Sequence, residues 1–138
     1  MDYLPLSSTI FCYDCSDCSQ KIQSASPGDT VYLNNSLQIN GSTCIDFNGS
    51  DQITLDCQGH FISGNDTDNT YGISLPESSH SNTIQNCFIQ DFRYGIFVNH
   101  SNYNSILNTT LFSNTDNIRL YYTNYTTIRD SNISYAEG

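Results

Sequence analysis

The chain has 138 residues, 37% hydrophobic and only 13% charged, a composition that suits one globular domain of unusually low charge. Its net charge is −10 and its only lysine and arginines are Lys21, Arg93, Arg119 and Arg129, which argues against nucleic acid or an anionic membrane surface as a partner. No apolar run approaches the roughly 20 residues of a membrane-spanning helix, so no membrane insertion is expected.

Residues 1–11 read as an N-terminal arm. Leu4, Leu6, Ile10 and Phe11 make it too apolar for a plain linker and suit it to add as a strand, to its own first rung or to a neighbouring molecule. It has neither a basic start nor a long apolar segment, so no signal peptide is visible; a mature form or an excised piece is expected.

Residues 12–28 read as a cap. Cys12, Cys15 and Cys18 lead into Asp17 and Gln20, which are spaced as a capping box. Cys18, Ile22 and Ala25 share one helical face, and Pro27-Gly28 stops the helix. A short amphipathic helix here would cover both the apolar interior and the unpaired edge of a first rung.

Residues 29–138 read as a solenoid. Ile84, Ile89, Ile96 and Val98 recur after a step of 22 as Ile106, Leu111, Ile118 and Leu120, and Ile128 and Ile133 begin a third copy. Inside a copy the apolar residues alternate over short bursts, so the units are strands. Earlier rungs take Val31, Leu33, Leu37, Ile39, Ile45 and Phe47, then Leu55, Ile62, Ile73 and Leu75, with the loop 65–70 as an insertion. Asn86, Asn108 and Asp130 form one turn column, and His80, Asn102 and Asn124 another. Either stacked amides hydrogen-bond in a ladder or these residues simply tolerate left-handed turns. The expected fold is all-β: a single-stranded parallel β-helix of about four to five rungs.

The run 22–33, IQSASPGDTVYL, resembles the cap and first strand of right-handed β-helix proteins of the pectate-lyase-like superfamily. The run 53–64, ITLDCQGHFISG, resembles an early rung of the same fold. The chain is similar in particular to the cysteine-bearing β-helix domains of archaeal surface proteins. The right hand of the coil is implied by this resemblance and by the general preference for right-handed crossovers.

Six cysteines and eight Asn-x-Ser/Thr sequons, at Asn34, Asn40, Asn48, Asn65, Asn99, Asn108, Asn124 and Asn132, favour an exported, glycosylated protein at the cell surface or beyond it. Cys57 and Cys87 fall at comparable turns of neighbouring rungs, within disulfide reach; a bridge there would contribute roughly 3 to 4 kcal/mol. Cys44 would pair with Cys12, Cys15 or Cys18. Buried free thiols, or zinc or iron on the x₂-spaced trio, are the rival states.

The resemblance also implies where catalysis would sit. Lyases of the superfamily use calcium-binding carboxylates and an arginine base. Polygalacturonases use an Asn-Thr-Asp segment, an Asp-Asp pair and a Gly-His-Gly. This chain has Asn114-Thr115-Asp116 and Gly59-His60 but no adjacent aspartates, and Asp46, Ser74, Phe97 and Arg119 occupy the outward strand column. Paired carboxylates across a cleft are therefore not expected, and neither is an enzyme. Among residues 65–69, Asn65, Asp66, Asp68 and Asn69 could wrap calcium, although a solvated loop explains them as well. His60, His80 and His100 share no partner. Tyr94, Tyr103, Tyr121, Tyr122 and Tyr125 either stack on sugars or cover the coil.

After Ile133 no helix or long loop follows, so an open edge is expected there and a head-to-tail contact through it would build a filament. The expected function is a non-catalytic extracellular structural protein without cofactor, associating with itself. The alternatives are a carbohydrate-binding or carbohydrate-active domain and a fragment of a larger adhesin or surface-layer protein.

Overall fold

A computed structural model describes residues 9–134; Leu4 and Leu6 of the arm lie outside the described residues. Strand β1 (Ile10–Cys12) precedes helix α1 (Cys15–Ser24). Three-strand rungs follow: β2 (Thr30–Leu33), β3 (Leu37–Gln38) and β4 (Ile45–Asp46); β5 (Thr54–Asp56), β6 (Phe61–Ser63) and β7 (Tyr71–Leu75); β8 (Thr83–Gln85), β9 (Phe88–Gln90) and β10 (Tyr94–Asn99); β11 (Ser105–Leu107), β12 (Thr110–Phe112) and β13 (Asp116–Tyr121). Two more strands, β14 (Thr127–Arg129) and β15 (Asn132–Ile133), begin another turn.

Like strands stack in parallel into three sheets, in the orders β1-β2-β5-β8-β11-β14, β3-β6-β9-β12-β15 and β4-β7-β10-β13. The deepest is six-stranded, slightly more than the four to five rungs expected, because β1 joins its own coil below β2, one of the two placements expected of the arm. The 22-residue register holds for Ile84, Ile106 and Ile128, and for Ile96 and Ile118. Lower rungs are less regular: Val31 pairs Leu55, Leu37 pairs Ile62, and Ile45 pairs Ile73.

The inward slots build one core, with Val31, Leu55, Ile62, Ile73, Ile89 and Ile96 at 0% exposure. Each such side chain contributes roughly 1.5 to 3 kcal/mol by leaving water. Burial fades along the coil: Ile118 is half-buried, and Leu120, Ile128 and Ile133 are 39–46% exposed.

Helix α1 closes the other end. Its N-cap is Asp14, three residues earlier than the spacing of Asp17 and Gln20 suggests. Asp14 accepts the Asp17 N–H at 2.7 Å and Asp17 accepts the Tyr13 N–H at 3.0 Å, so the reciprocal cap uses this acidic pair. The shift places Cys15 inside the helix, on the buried face with Cys18 and Ile22, where it reaches Cys44. Ser19 and Gln23 replace a missing strand under β4: the Ser19 hydroxyl donates to Cys44 O and accepts the Asp46 N–H, and Gln23 Nε2 donates to Asp46 O at 2.8 Å. Ser16, Gln20, Gln23 and Ser24 leave the helix's outer face polar.

Glycines mark where rungs come closest. A Cβ on Gly95 would lie 2.5 Å from Asn117 O and 2.7 Å from Leu111 Cδ2, and one on Gly72 would lie 2.6 Å from Gly95 O. Backbone oxygen cannot yield as a flexible side chain does. Gly95→Ala is expected to cost roughly 1–3 kcal/mol of stability by overpacking. Urea unfolding checks this against Gly41→Ala, whose Cβ would meet nothing within 4 Å; the Gly41 change reports only the penalty of a left-handed turn.

Candidate functional site

The described cysteines form three disulfides: Cys12–Cys18, Cys15–Cys44 and Cys57–Cys87. Cys12–Cys18 ties β1 to α1, Cys15–Cys44 ties α1 to the first rung just before β4, and Cys57–Cys87 ties the turn after β5 to the turn after β8. With every thiol oxidised, none is free as a metal ligand or nucleophile.

The turn column after β5, β8 and β11 holds Gln58, Asn86 and Asn108 in left-handed conformation, with φ of 53°, 60° and 45°. Two of the three expected members do bond: Asn108 Nδ2 donates to Asn86 Oδ1 at 2.8 Å, and Asn86 Nδ2 donates on to Asp56 Oδ1 at 3.0 Å, while Asp130 shares only the left-handed turn, with φ of 52°. Asp56 also accepts from Gln85 Nε2 and the Gln58 N–H. Beside the ladder lies a groove of about 320 Å³ lined by Gln58, Gly59, Asn86, Phe88, Asn108 and Thr110. The Phe88 ring stacks on Phe61 at 4.9 Å, and Phe112 meets Phe61 edge-on.

The second expected column also stacks, by a different rule. Asp51 Oδ1 accepts the His80 N–H, His80 Nδ1 accepts the Asn102 N–H, and Asn102 Oδ1 accepts the Asn124 N–H, each at 2.9 Å. His80 therefore carries its ring proton on Nε2. His100 Nδ1 meets Asn99 Oδ1, so the histidines serve separate local contacts.

A set of inward asparagines was missed by sequence reasoning. Asn82, Asn104 and Asn114 are 0–2% exposed. Each accepts a backbone N–H from the preceding rung, of Ile53, Asn82 and Phe92 respectively, and donates Nδ2 to the carbonyl three residues before that N–H, of Ser50, Ser79 and Ile89. Recurrence at the 22-residue step, Asn82 to Asn104 and Ser79 to Ser101, was the available signal. Ser79 and Ser101 do the same with hydroxyls, accepting the Gly49 and Ser79 N–H groups.

The segment resembling a polygalacturonase motif is thus tied into the coil. Asn114 is consumed as above, and Asp116 pairs with Arg93 at 3.7 Å. Arg93 and Arg119 lie over the Tyr94 ring, which stacks with Tyr71 and Phe97. The outward column of Asp46, Ser74, Phe97 and Arg119 is in register, with a single carboxylate. Tyr103 stacks on Tyr125 at 4.9 Å and His100 on Tyr122 at 5.0 Å, while Tyr121 stands edge-on to Tyr122. In the loop 65–70, Asn65 Oδ1 accepts from the Gly41 N–H and the Thr67 hydroxyl. Among the described residues no three His, Cys, Asp or Glu side chains gather as a metal site.

Of the sequon asparagines, Asn99 is half-buried and Asn34, Asn40, Asn48, Asn65, Asn108, Asn124 and Asn132 are exposed. Of the assembly candidates, Ile10 packs against the core, Phe11 lies against Tyr32, and Ile128 and Ile133 are exposed on the last described strands.

Asp91 is the one described acid whose carboxyl is pushed above the usual range, first by burial and then by the charge of Asp66. A raised acid stabilises the fold fully at low pH and loses that contribution as pH rises through the carboxylate range. Asp91 sits at φ 66°, a conformation asparagine tolerates. Asp91→Asn is therefore expected to raise the melting temperature at pH 7 and to leave it unchanged at pH 3, as read by circular dichroism.

No helix among the described residues is long and apolar enough to cross a membrane. No curated protein and no solved structure gives a significant match. Residues 10–138 match the family described as periplasmic copper-binding protein (NosD), nearly the whole of this parallel β-helix, and the chain belongs to that family.

Proposed function

We propose that the chain is a non-catalytic structural module working outside the cytoplasm, in a periplasm or at a cell surface, and that it associates with copies of itself. The observation that carries this reading is where the polar side chains go. The inward asparagines and serines hold the backbone of the next rung, and no buried side-chain nitrogen or oxygen among the described residues lacks a partner. Such groups build a stiff rod and are spent in doing so.

Three disulfides and a family described as periplasmic support the location. The exposed sequon asparagines suit a glycoprotein. Leu120, Ile128 and Ile133 offer apolar contact area to a second copy, while the polar outer face of α1 leaves the edge of β1 as its counterpart at the other end.

The family's description names copper, a metal that thiolate, thioether and imidazole donors suit. Here the thiols are tied in disulfides, and His80 Nδ1 is engaged by a backbone N–H. Among the described residues no three His, Cys, Asp or Glu side chains gather around one point, and no copper chemistry is assigned to them.

Negative-stain microscopy with light scattering of the non-reduced protein tests the reading. Fibres or discrete oligomers that Ile128→Asp dissolves are expected. A monomer at every concentration would contradict self-association. New reducing ends on incubation with polysaccharides would contradict the non-catalytic role.

A further inference from the structure

The groove beside the outward amide ladder has a composition that selects a ligand. Its lining of Gln58, Gly59, Asn86, Phe88, Asn108 and Thr110 contains no ionisable side chain, although the chain carries a net charge of −10. Volumes of this size suit a small polar ligand held by a few convergent groups. The apolar surface is the Phe88 ring, half-buried and braced from one side by Phe61. The polar wall is partly spent and partly free. Gln58 donates Nε2 to Leu33 O and Asn108 donates Nδ2 to Asn86, while Gln58 Oε1 and Asn108 Oδ1 have no partner among the described residues. Asp56 fixes this wall from outside the lining, accepting from the Gln58 N–H, Gln85 Nε2 and Asn86 Nδ2.

We infer that this groove binds a neutral linear glycan lying along the coil axis. An aromatic face beside amide oxygens and a threonine hydroxyl meets both surfaces of a sugar ring, its C–H face and its hydroxyl edge. An acidic glycan finds no cation in the lining and a repulsive field around it. The amides recur once per rung, at the ~4.8 Å spacing of parallel strands, so the wall suits a polymer with a short repeat. A peptide added as a strand is disfavoured because β9 is already paired on both edges, by β6 and β12. This goes beyond the structural role and does not depend on self-association.

The test uses folded, disulfide-bonded protein free of N-linked glycans, since Asn108 begins a sequon and a sugar there would fill the groove. Neutral glucan and mannan hexasaccharides are titrated and followed by NMR, with oligogalacturonate as the acidic contrast. Saturable shifts centred on Gln58, Asn86 and Phe88 are expected with a neutral hexasaccharide and not with oligogalacturonate. Phe88→Ala should weaken binding tenfold or more. Thr110→Glu, which keeps the ring and places bulk and charge in the groove, should do the same, with circular dichroism confirming both folds. Tyr122→Ala, in a different turn, should change nothing. The proposal is overturned if neither neutral hexasaccharide binds saturably, if oligogalacturonate binds as well as they do, if both groove variants bind like the parent, or if Tyr122→Ala is the change that abolishes binding.

Discussion

A parallel coil with short turns leaves backbone groups at its corners that no strand partner reaches, and the structure depends on how they are satisfied. Buried N–H and C=O groups without partners cost about 1–3 kcal/mol each, a large share of what a small domain has to lose. Asn82, Asn104 and Asn114 meet this with one device: a side-chain oxygen takes the N–H of the rung below, and the side-chain nitrogen reaches the carbonyl three residues before that N–H. Asparagine alone among small residues offers an acceptor and two donors on so short a stem. The device works only if consecutive rungs hold register, which links it to the stacked isoleucines of the core.

The same constraint explains the ends and corners. Below β4 there is no strand, and Ser19 and Gln23 of α1 supply the bonds a strand would have made. The disulfides from Cys12 and Cys15 then hold the cap where those bonds form. Near the start of β7 and β10, Gly72 and Gly95 admit the neighbouring carbonyl, and one rung on, in β13, Asn117 takes that place and accepts from Asn114 Nδ2. Among the described residues the buried polar side-chain atoms are all partnered in this way, and those left without a partner lie on the outside.

Strand period and rung stacking were legible in the sequence because burying one face leaves alternation within a strand and a fixed step between rungs. The steps from Ile84 onward are regular for that reason. The first rungs were harder: turn insertions between Ile45 and Ile73 lengthen the step without moving an inward slot. The Cys57–Cys87 bridge followed from rung position, whereas the partner of Cys44 depended on where α1 begins. The outward groove wall was visible as the Asn86 and Asn108 column, but its aromatic side was not, since Phe61 and Phe88 are 27 residues apart, outside the 22-residue step. The inward asparagines were hidden by chemistry: Asn82 and Asn86 are the same residue type in adjacent turns, and sequence does not say which faces the core.

The most direct measurement is backbone amide exchange, residue by residue, in the oxidised protein. Ile53, Asn82 and Phe92 donate to side-chain oxygens at the coil's corners. If the inward asparagines hold the rungs together, these three amides exchange as slowly as the strand amides of Ile84 and Ile106 and lose protection only on global unfolding. Exchange at the rate of the exposed residues 67–69 would mean that the ladders ornament a coil held by its core alone, and would contradict the account.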